Sequence, residues 1–182
     1  MVSLPDLGTL RLPARVHFGY GARAQLLPVV RVHGRRVLAV VDPFLLGTRF
    51  FDETVGALTA AGLDVRVHSE ITPELPVGTL DAAGAMARDV DPDVIVAIGG
   101  GSALDAAKLI ALLAVYDGPL SRYYGENLVP GPVTPVVALP TTAGTGSEVT
   151  PVAVISDPGR ELKVGISSPF LVPAAAIVDP EF

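Results

Sequence analysis

The chain has 182 residues, with 13 Lys+Arg against 19 Asp+Glu, a net charge of −6, a pI near 4.9, and 49% hydrophobic against 18% charged residues. This balance excludes disorder as the default state and argues against nucleic acid or an anionic membrane as partner, since both need clustered basic residues. Cysteine is absent, which excludes disulfides and Cys-ligated zinc or iron–sulfur centres and suits a reducing cytoplasm, the expected location.

This length suffices for one compact domain, expected over residues 1–182. The mean hydropathy of +0.50 is high and leaves two readings: a sheet buried on both faces, or a surface meant to be covered. Met1 to Pro13 has no basic stretch leading into an apolar run, so no signal peptide is expected. Arg35 to Val41 is a short β-branched run ending at Asp42-Pro43, which predicts a buried strand and a turn. Leu45 to Ala61 places Phe51, Val55 and Leu58 at helical spacing and closes on Gly62. A strand over Leu63 to Val67 and a helix over Val77 to Val90, stopped by Asp91-Pro92, come next.

Val94 to Ile98 is apolar throughout, as a central parallel strand is, and Ser102 to Tyr116 reads as a helix with Ser102 at or near its N-cap. Together they form the most membrane-like stretch. Three glycines, Asp105 and Lys108 divide it into strand, turn and helix, so no membrane span is expected. Residues 117–135 are rich in Gly and Pro and read as loop, followed by strands over Val136 to Leu139, Pro151 to Ile155 and Ala174 to Val178. Strands alternating with helices predict an α/β fold, a Rossmann-like, doubly wound, mostly parallel sheet with helices on both faces. Ligands of such sheets sit outside the carboxyl ends of the strands. Asp42-Pro43, Gly99 to Ser102 and Pro140 to Glu148 each follow an apolar strand, at that edge.

The turn Gly99-Gly100-Gly101-Ser102 lets the backbone approach a ligand closely, and the helix behind it offers free N–H groups and a positive dipole end. A phosphate suits such a site; a tight strand-to-helix turn with no ligand is the alternative. The turn is neither GxGxxG nor a P-loop. Asp105 and Lys108, at i and i+3, read either as a surface ion pair or as an Asp105 that faces the nucleotide. The run Pro140-Thr141-Thr142-Ala143-Gly144-Thr145-Gly146-Ser147-Glu148-Val149-Thr150 is a loop with many hydroxyl groups and little bulk, in which Thr145 or Ser147 could instead serve as caps.

The segments 99–108 and 140–150 resemble the two nucleotide-binding signatures of the iron-containing (group III) alcohol dehydrogenases. Val41-Asp42-Pro43, Leu162-Lys163 and Leu171-Val172-Pro173 leading to Val178-Asp179-Pro180 follow in the family's order, so the resemblance runs from about His17 to the end of the chain. It implies that Gly99, Gly100, Gly101 and Ser102 hold the pyrophosphate of NAD or NADP, with Asp105 near the nicotinamide end. Thr141 and Thr142 then meet the adenine or ribose side, and Thr145 and Ser147 belong to the same binding loop. Val154 lines the cleft and Lys163 reaches the nicotinamide ribose. Asp42 falls where an acid meets the adenine ribose, which favours NAD over NADP; a turn-capping Asp is the alternative.

Two departures stand out. Glu74-Leu75-Pro76 occupies the place of the family's Asn-Pro pair, which puts one cofactor contact in doubt. The family holds its metal, Fe2+ or another divalent ion, with one Asp and three His of an all-helical C-terminal domain, and that domain is expected to be absent from this chain. His17, His33 and His68 have no ligand spacing and read as ordinary structural histidines. The implied activity of the full protein is hydride transfer between the nicotinamide and a small alcohol, aldehyde or ketone, with no turnover by this chain alone. Its partners are then the dinucleotide, the missing C-terminal domain, and a second copy through exposed apolar surface. A glycerol dehydrogenase, maleylacetate reductase or dehydroquinate-synthase-like relative, or a nucleotide-binding module without catalysis, are the alternatives.

Overall fold

The computed structural model describes residues 10–160 and 162–181; most of the N-terminal stretch read above for a leader lies outside them. The elements in chain order are β1 (Arg15–Phe18), α1 (Leu26–Arg31), β2 (Arg36–Val41), α2 (Arg49–Ala60), β3 (Asp64–His68), α3 (Val77–Val90), β4 (Val94–Gly99), α4 (Gly101–Val115), β5 (Gly125–Glu126), β6 (Val136–Pro140), β7 (Val152–Ile155), β8 (Val164–Ser167) and β9 (Ala175–Val178). Six strands form one sheet in the order β1-β9-β6-β4-β2-β3, every neighbouring pair parallel. A second sheet, β5-β8-β7, joins β5 to β8 in parallel and β7 to β8 antiparallel.

The apolar runs of β2 and β4 are continuous because both faces of the large sheet are covered. Val37, Ala39 and Val41 face Leu26, Val29 and Val30 of α1 and Leu58 of α2. Leu38 and Val40, one residue out of phase, face the other way onto α3 and α4. Helices therefore pack on both faces, as the alternating pattern predicts.

Helix α4 goes further than an amphipathic helix. Ten of its residues are buried, because the second sheet closes its far side with Ala153, Ile155 and Ile166. A helix buried all round accounts for much of the high hydropathy. Val16 and Phe18 of the edge strand β1, and Tyr20 just after it, still stand exposed. Where α3 crosses α4, Gly84 has no room for a side chain, since a Cβ there meets the Leu113 Cβ at 2.5 Å. Among the described residues no helix is long and apolar enough to cross a membrane.

Several boundaries differ from the sequence expectation. The helix expected from Leu45 starts at Arg49, capped by Thr48, which accepts a hydrogen bond from the Phe51 N–H at 3.2 Å. Pro43–Leu45 is a separate 3-10 turn. The N-cap of α4 is Gly100, with Ser102 near it in the first turn. The loop at 117–135 contains a 3-10 turn, Leu120–Tyr123, and the short β5. Helix α1 and strand β8 have no counterpart in the sequence expectation. Pro28 is tolerated in α1 because the first helical turn needs no N–H there.

Candidate functional site

Strands β2 and β4 lie side by side, and the chain leaves them toward opposite faces, α2 on one and α4 on the other. A crevice at the carboxyl ends of such a pair is where this architecture takes ligands. Asp42 and Gly99 meet there. Gly99 has φ +149°, and a Cβ on it would stand 2.7 Å from both the Asp42 Cβ and the Ala103 Cβ. The Asp42 N–H donates to the Ile98 carbonyl at 2.9 Å, and its Oδ1 accepts from the Phe44 N–H at 3.1 Å. The turn-capping role weighed above for Asp42 is therefore present.

Next along the edge, Gly100 caps α4 without any side-chain bond to the helix N-terminus, so the first-turn N–H groups are left for a ligand. The loop after β6 closes over this turn. Thr141 N–H donates to the Gly99 carbonyl at 3.0 Å. A Cβ on Gly100 would touch Thr142 at 3.4 Å, and one on Gly101 would meet the Thr145 methyl at 2.7 Å. At Gly101 a glycine is needed because Thr145 sits directly on the backbone, whereas Gly100 is in ordinary contact distance of Thr142.

One turn further into α4, the Asp105 carboxylate is held at both oxygens. Ser147 Oγ donates to Oδ1 in a short hydrogen bond, and the Val154 N–H donates to Oδ2 at 3.0 Å. The alternative of a surface ion pair with Lys108 is overturned, because Lys108 is completely buried. Its Nζ donates to Ser147 Oγ at 2.9 Å, to the Thr150 carbonyl at 3.0 Å and to the Val152 carbonyl at 2.7 Å, and it stands 3.8 Å from Asp105 Oδ1. Burial pulls the Lys108 ammonium down to about 8, against the opposing pull of Asp105 and Glu148.

Gly101, Ser102, Asp105, Thr145, Ser147, Val154 and Lys163 line one cleft of about 330 Å3. Gly99, Gly100, Asp42, Thr141 and Thr142 continue along the strand ends beside it. At its mouth Lys163 Nζ stands 3.5 Å from Glu74 Oε1, both side chains exposed. A larger, mainly apolar pocket of about 470 Å3 between Gly21 and α2 contains none of these residues. Lys108 and Glu74 were not singled out as site residues from the sequence. A lone lysine among Ala106, Ala107, Leu109 and Ile110 was the available signal for the first. His17, His33 and His68 are not brought together; burial lowers the pKa of the last two. Among the described residues no group of three or more His, Cys, Asp or Glu side chains could hold a metal.

The model of the family described as iron-containing alcohol dehydrogenase matches residues 13–180. The chain belongs to the iron-containing alcohol dehydrogenase family. Long-chain-alcohol dehydrogenase 1 of Geobacillus thermodenitrificans is 39% identical over 173 residues, which cover 93% of this chain and 43% of the relative. NAD-dependent methanol dehydrogenase of Bacillus methanolicus is 41% identical over 152 residues, 83% of this chain and 40% of the relative. The crystal structure of a 1,3-propanediol oxidoreductase superposes with TM-score 0.91 at 30% identity, over 97% of this chain and 46% of that one. Sulfoacetaldehyde reductase from Bifidobacterium kashiwanohense, solved in complex with NAD+, superposes with TM-score 0.81 at 31% identity, over 97% and 47%. The chain thus spans less than half the length of these family members.

The family match also bears on Glu74-Leu75-Pro76. Glu74 and Leu75 both have left-handed backbone, φ 68° and 50°, and the Ser156 N–H donates to both of their carbonyls, at 3.0 and 3.2 Å. Asn, the residue the resemblance led one to expect next to the proline, enters that region more readily than Glu or Leu.

Proposed function

We propose that residues 1–182 form a nicotinamide-dinucleotide-binding domain that works within a longer oxidoreductase, transferring hydride between the nicotinamide and a small alcohol, aldehyde or ketone. One observation supports the reading above all: a helix N-terminus with no side-chain cap, where Gly99 is hemmed in by Asp42 and Ala103, and Gly101 by Thr145. Such a cradle fits a pyrophosphate, because the backbone N–H groups and the helix dipole both favour negative charge.

In this reading Gly99, Gly100, Gly101 and Ser102 hold the pyrophosphate. Thr141 and Thr142 serve the adenosine side, and Asp42 accepts from the adenine ribose. Thr145 and Ser147 shape the loop over the helix end, Val154 lines the cleft, and Asp105 and Lys163 serve the nicotinamide side. When bound, the dinucleotide supplies the hydride acceptor or donor; this chain's residues bind and orient it. The described residues do not fit the family's metal, and no step through a metal is assigned to them. The relatives named for NAD, the methanol dehydrogenase and the NAD+ complex of the reductase, support NAD as the dinucleotide.

Calorimetric titration of the chain with NAD+ and NADP+ tests the reading. We expect saturable binding of NAD+ with Kd below about 1 mM, roughly 4 kcal/mol of binding free energy. Asp42→Ala should narrow the preference for NAD+ over NADP+, since it removes a carboxylate that repels a 2′-phosphate. Absence of saturable binding of either dinucleotide refutes the assignment, and an unchanged ratio refutes the role of Asp42. In an alcohol-oxidation assay the 182 residues by themselves should bind without turnover.

A further inference from the structure

We propose that Lys108, although no part of it reaches solvent, is the positioning residue of the cleft: its charge fixes the Ser147–Val152 wall and the Asp105 carboxylate in the geometry that an anionic dinucleotide needs. The inference rests on the dinucleotide reading above.

An ammonium in the middle of a buried helix is costly unless every donor finds an acceptor. Here three donors meet three acceptors: Ser147 Oγ, the Thr150 carbonyl and the Val152 carbonyl. All three residues line the cleft from the loop and strand opposite α4. The bonds have a direction. Lys108 donates to the Ser147 oxygen, which leaves the Ser147 proton to donate to Asp105. Val154 N–H then fixes the second carboxylate oxygen. Without the lysine the carbonyls of Thr150 and Val152 lose their donor, Ser147 is free to turn, and the cation 3.8 Å from Asp105 Oδ1 is gone. A leucine or methionine at 108 fills the space and does none of this.

The protonated form is the one that works, since a neutral amine has only two N–H donors for the three acceptors. Burial pulls Lys108 down to about 8 in the free protein. The charged groups that face it are Asp105 and Glu148, both carboxylates. His33 shares a small cavity with its stem, and burial lowers that pKa too, leaving His33 neutral in the alkaline range. Negative phosphates arriving at the α4 N-terminus raise the proton affinity of Lys108, so binding takes up protons where the free lysine is partly neutral.

The test is titration of NAD+ into the chain at about pH 7 and about pH 9.5, in buffers of different ionisation enthalpy, for wild type and Lys108→Met. We expect proton uptake on binding at alkaline pH in the wild type and a Kd that weakens severalfold across the range. In Lys108→Met binding should be about tenfold weaker or more at neutral pH, without uptake and with a flat pH profile. Lys108→Met with wild-type affinity, or with a lower melting temperature but an unchanged pH profile of Kd, overturns the inference and leaves the dinucleotide reading standing. If Lys108→Met does not fold, the wild type decides: a flat Kd without proton uptake overturns the inference, and uptake upholds it. If wild type fails to bind NAD+ at any pH, the dinucleotide reading itself fails and this inference falls with it.

Discussion

Gly101→Ala separates the geometry of the cradle from general helix stability. Position 101 is the first residue of α4 and its backbone lies outside the left-handed region, so alanine adopts it without strain. Helix propensity alone favours alanine by up to about 1 kcal/mol. Against that, the new Cβ stands 2.7 Å from the Thr145 methyl, with the Thr145 Cβ and Oγ1 both at 3.3 Å. Ordinary contact requires the loop to move outward by roughly 0.7 Å, and overpacking of this kind costs about 1–3 kcal/mol. Gly144 and Gly146 flank Thr145 in positive-φ conformations, and a side chain on Gly144 would meet nothing within 4 Å, so the loop can give and the fold survives.

The cost falls on the cleft, because the displaced loop carries Ser147 away from Asp105. NAD+ affinity measured by calorimetry should fall about tenfold or more, equivalent to about 1.4 kcal/mol, while the melting temperature changes little. Thr145→Ser in the same chain removes the offending methyl and keeps the hydroxyl that accepts from the Ser147 N–H at 3.3 Å. The double variant should recover most of the lost affinity, a coupling characteristic of residues in contact. Wild-type binding by Gly101→Ala, or no recovery in the double variant, refutes the claim that the threonine loop sits on the glycine backbone.

Two further predictions concern the frame. Asp179, 2% exposed, accepts from the N–H groups of Gly21, Arg23 and Glu181 at 3.0–3.1 Å, so Asp179→Ala should cost about 2 kcal/mol or more in urea denaturation at neutral pH. Burial pushes that carboxyl up, but the three N–H groups and the Arg23 guanidinium outweigh it and hold it below the usual range. Its contribution is therefore complete above the unfolded carboxylate pKa and lost as pH falls through the folded value; a wild-type advantage that persists unchanged in strong acid contradicts this. Gly84→Ala should lower the melting temperature even though alanine is the better helix former, because the added Cβ meets Leu113 at 2.5 Å; a rise in melting temperature excludes the close α3–α4 contact.

The periodic parts of the fold were legible because one physical constraint dominated each. Val77–Val90 matches the expected helix at both ends, bounded by a left-handed Asp91 before Pro92. The strands β2, β4 and β6 were read from apolar runs that make sense only between two layers of helix. β8 escaped because it is short and buries only Ile166 of its four residues, which leaves no alternation to detect. In the candidate site the glycine turn and the hydroxyl-rich loop stood out in the sequence as small, backbone-exposing segments, while the roles of their residues came from the family resemblance. The burial of Lys108 could not, because the acceptors it meets are carbonyls of residues more than forty positions away, brought over α4 by a second sheet. Asp105 and Lys108 at helical spacing look alike whether the helix is bare or covered.

Glu74 shows how a local departure can act on the site without disturbing the fold. Two successive left-handed non-glycine residues cost of order 1–3 kcal/mol each. The Ser156 N–H on the Glu74 and Leu75 carbonyls and the burial of the Leu75 side chain offset that cost, fixing where the neighbouring Glu74 side chain emerges. It emerges at the mouth of the cleft, paired with Lys163. An exposed pair of this kind adds only about 0–1 kcal/mol to stability. Its larger consequence is electrostatic: Lys163 enters the cleft already matched by a carboxylate, so an incoming anion meets little net positive charge at the entrance. In the dinucleotide reading proposed above, the attraction that remains comes from the N-terminus of α4, where no side chain caps the first-turn N–H groups. The burden of anion recognition in that reading then falls on the glycine turn rather than on Lys163.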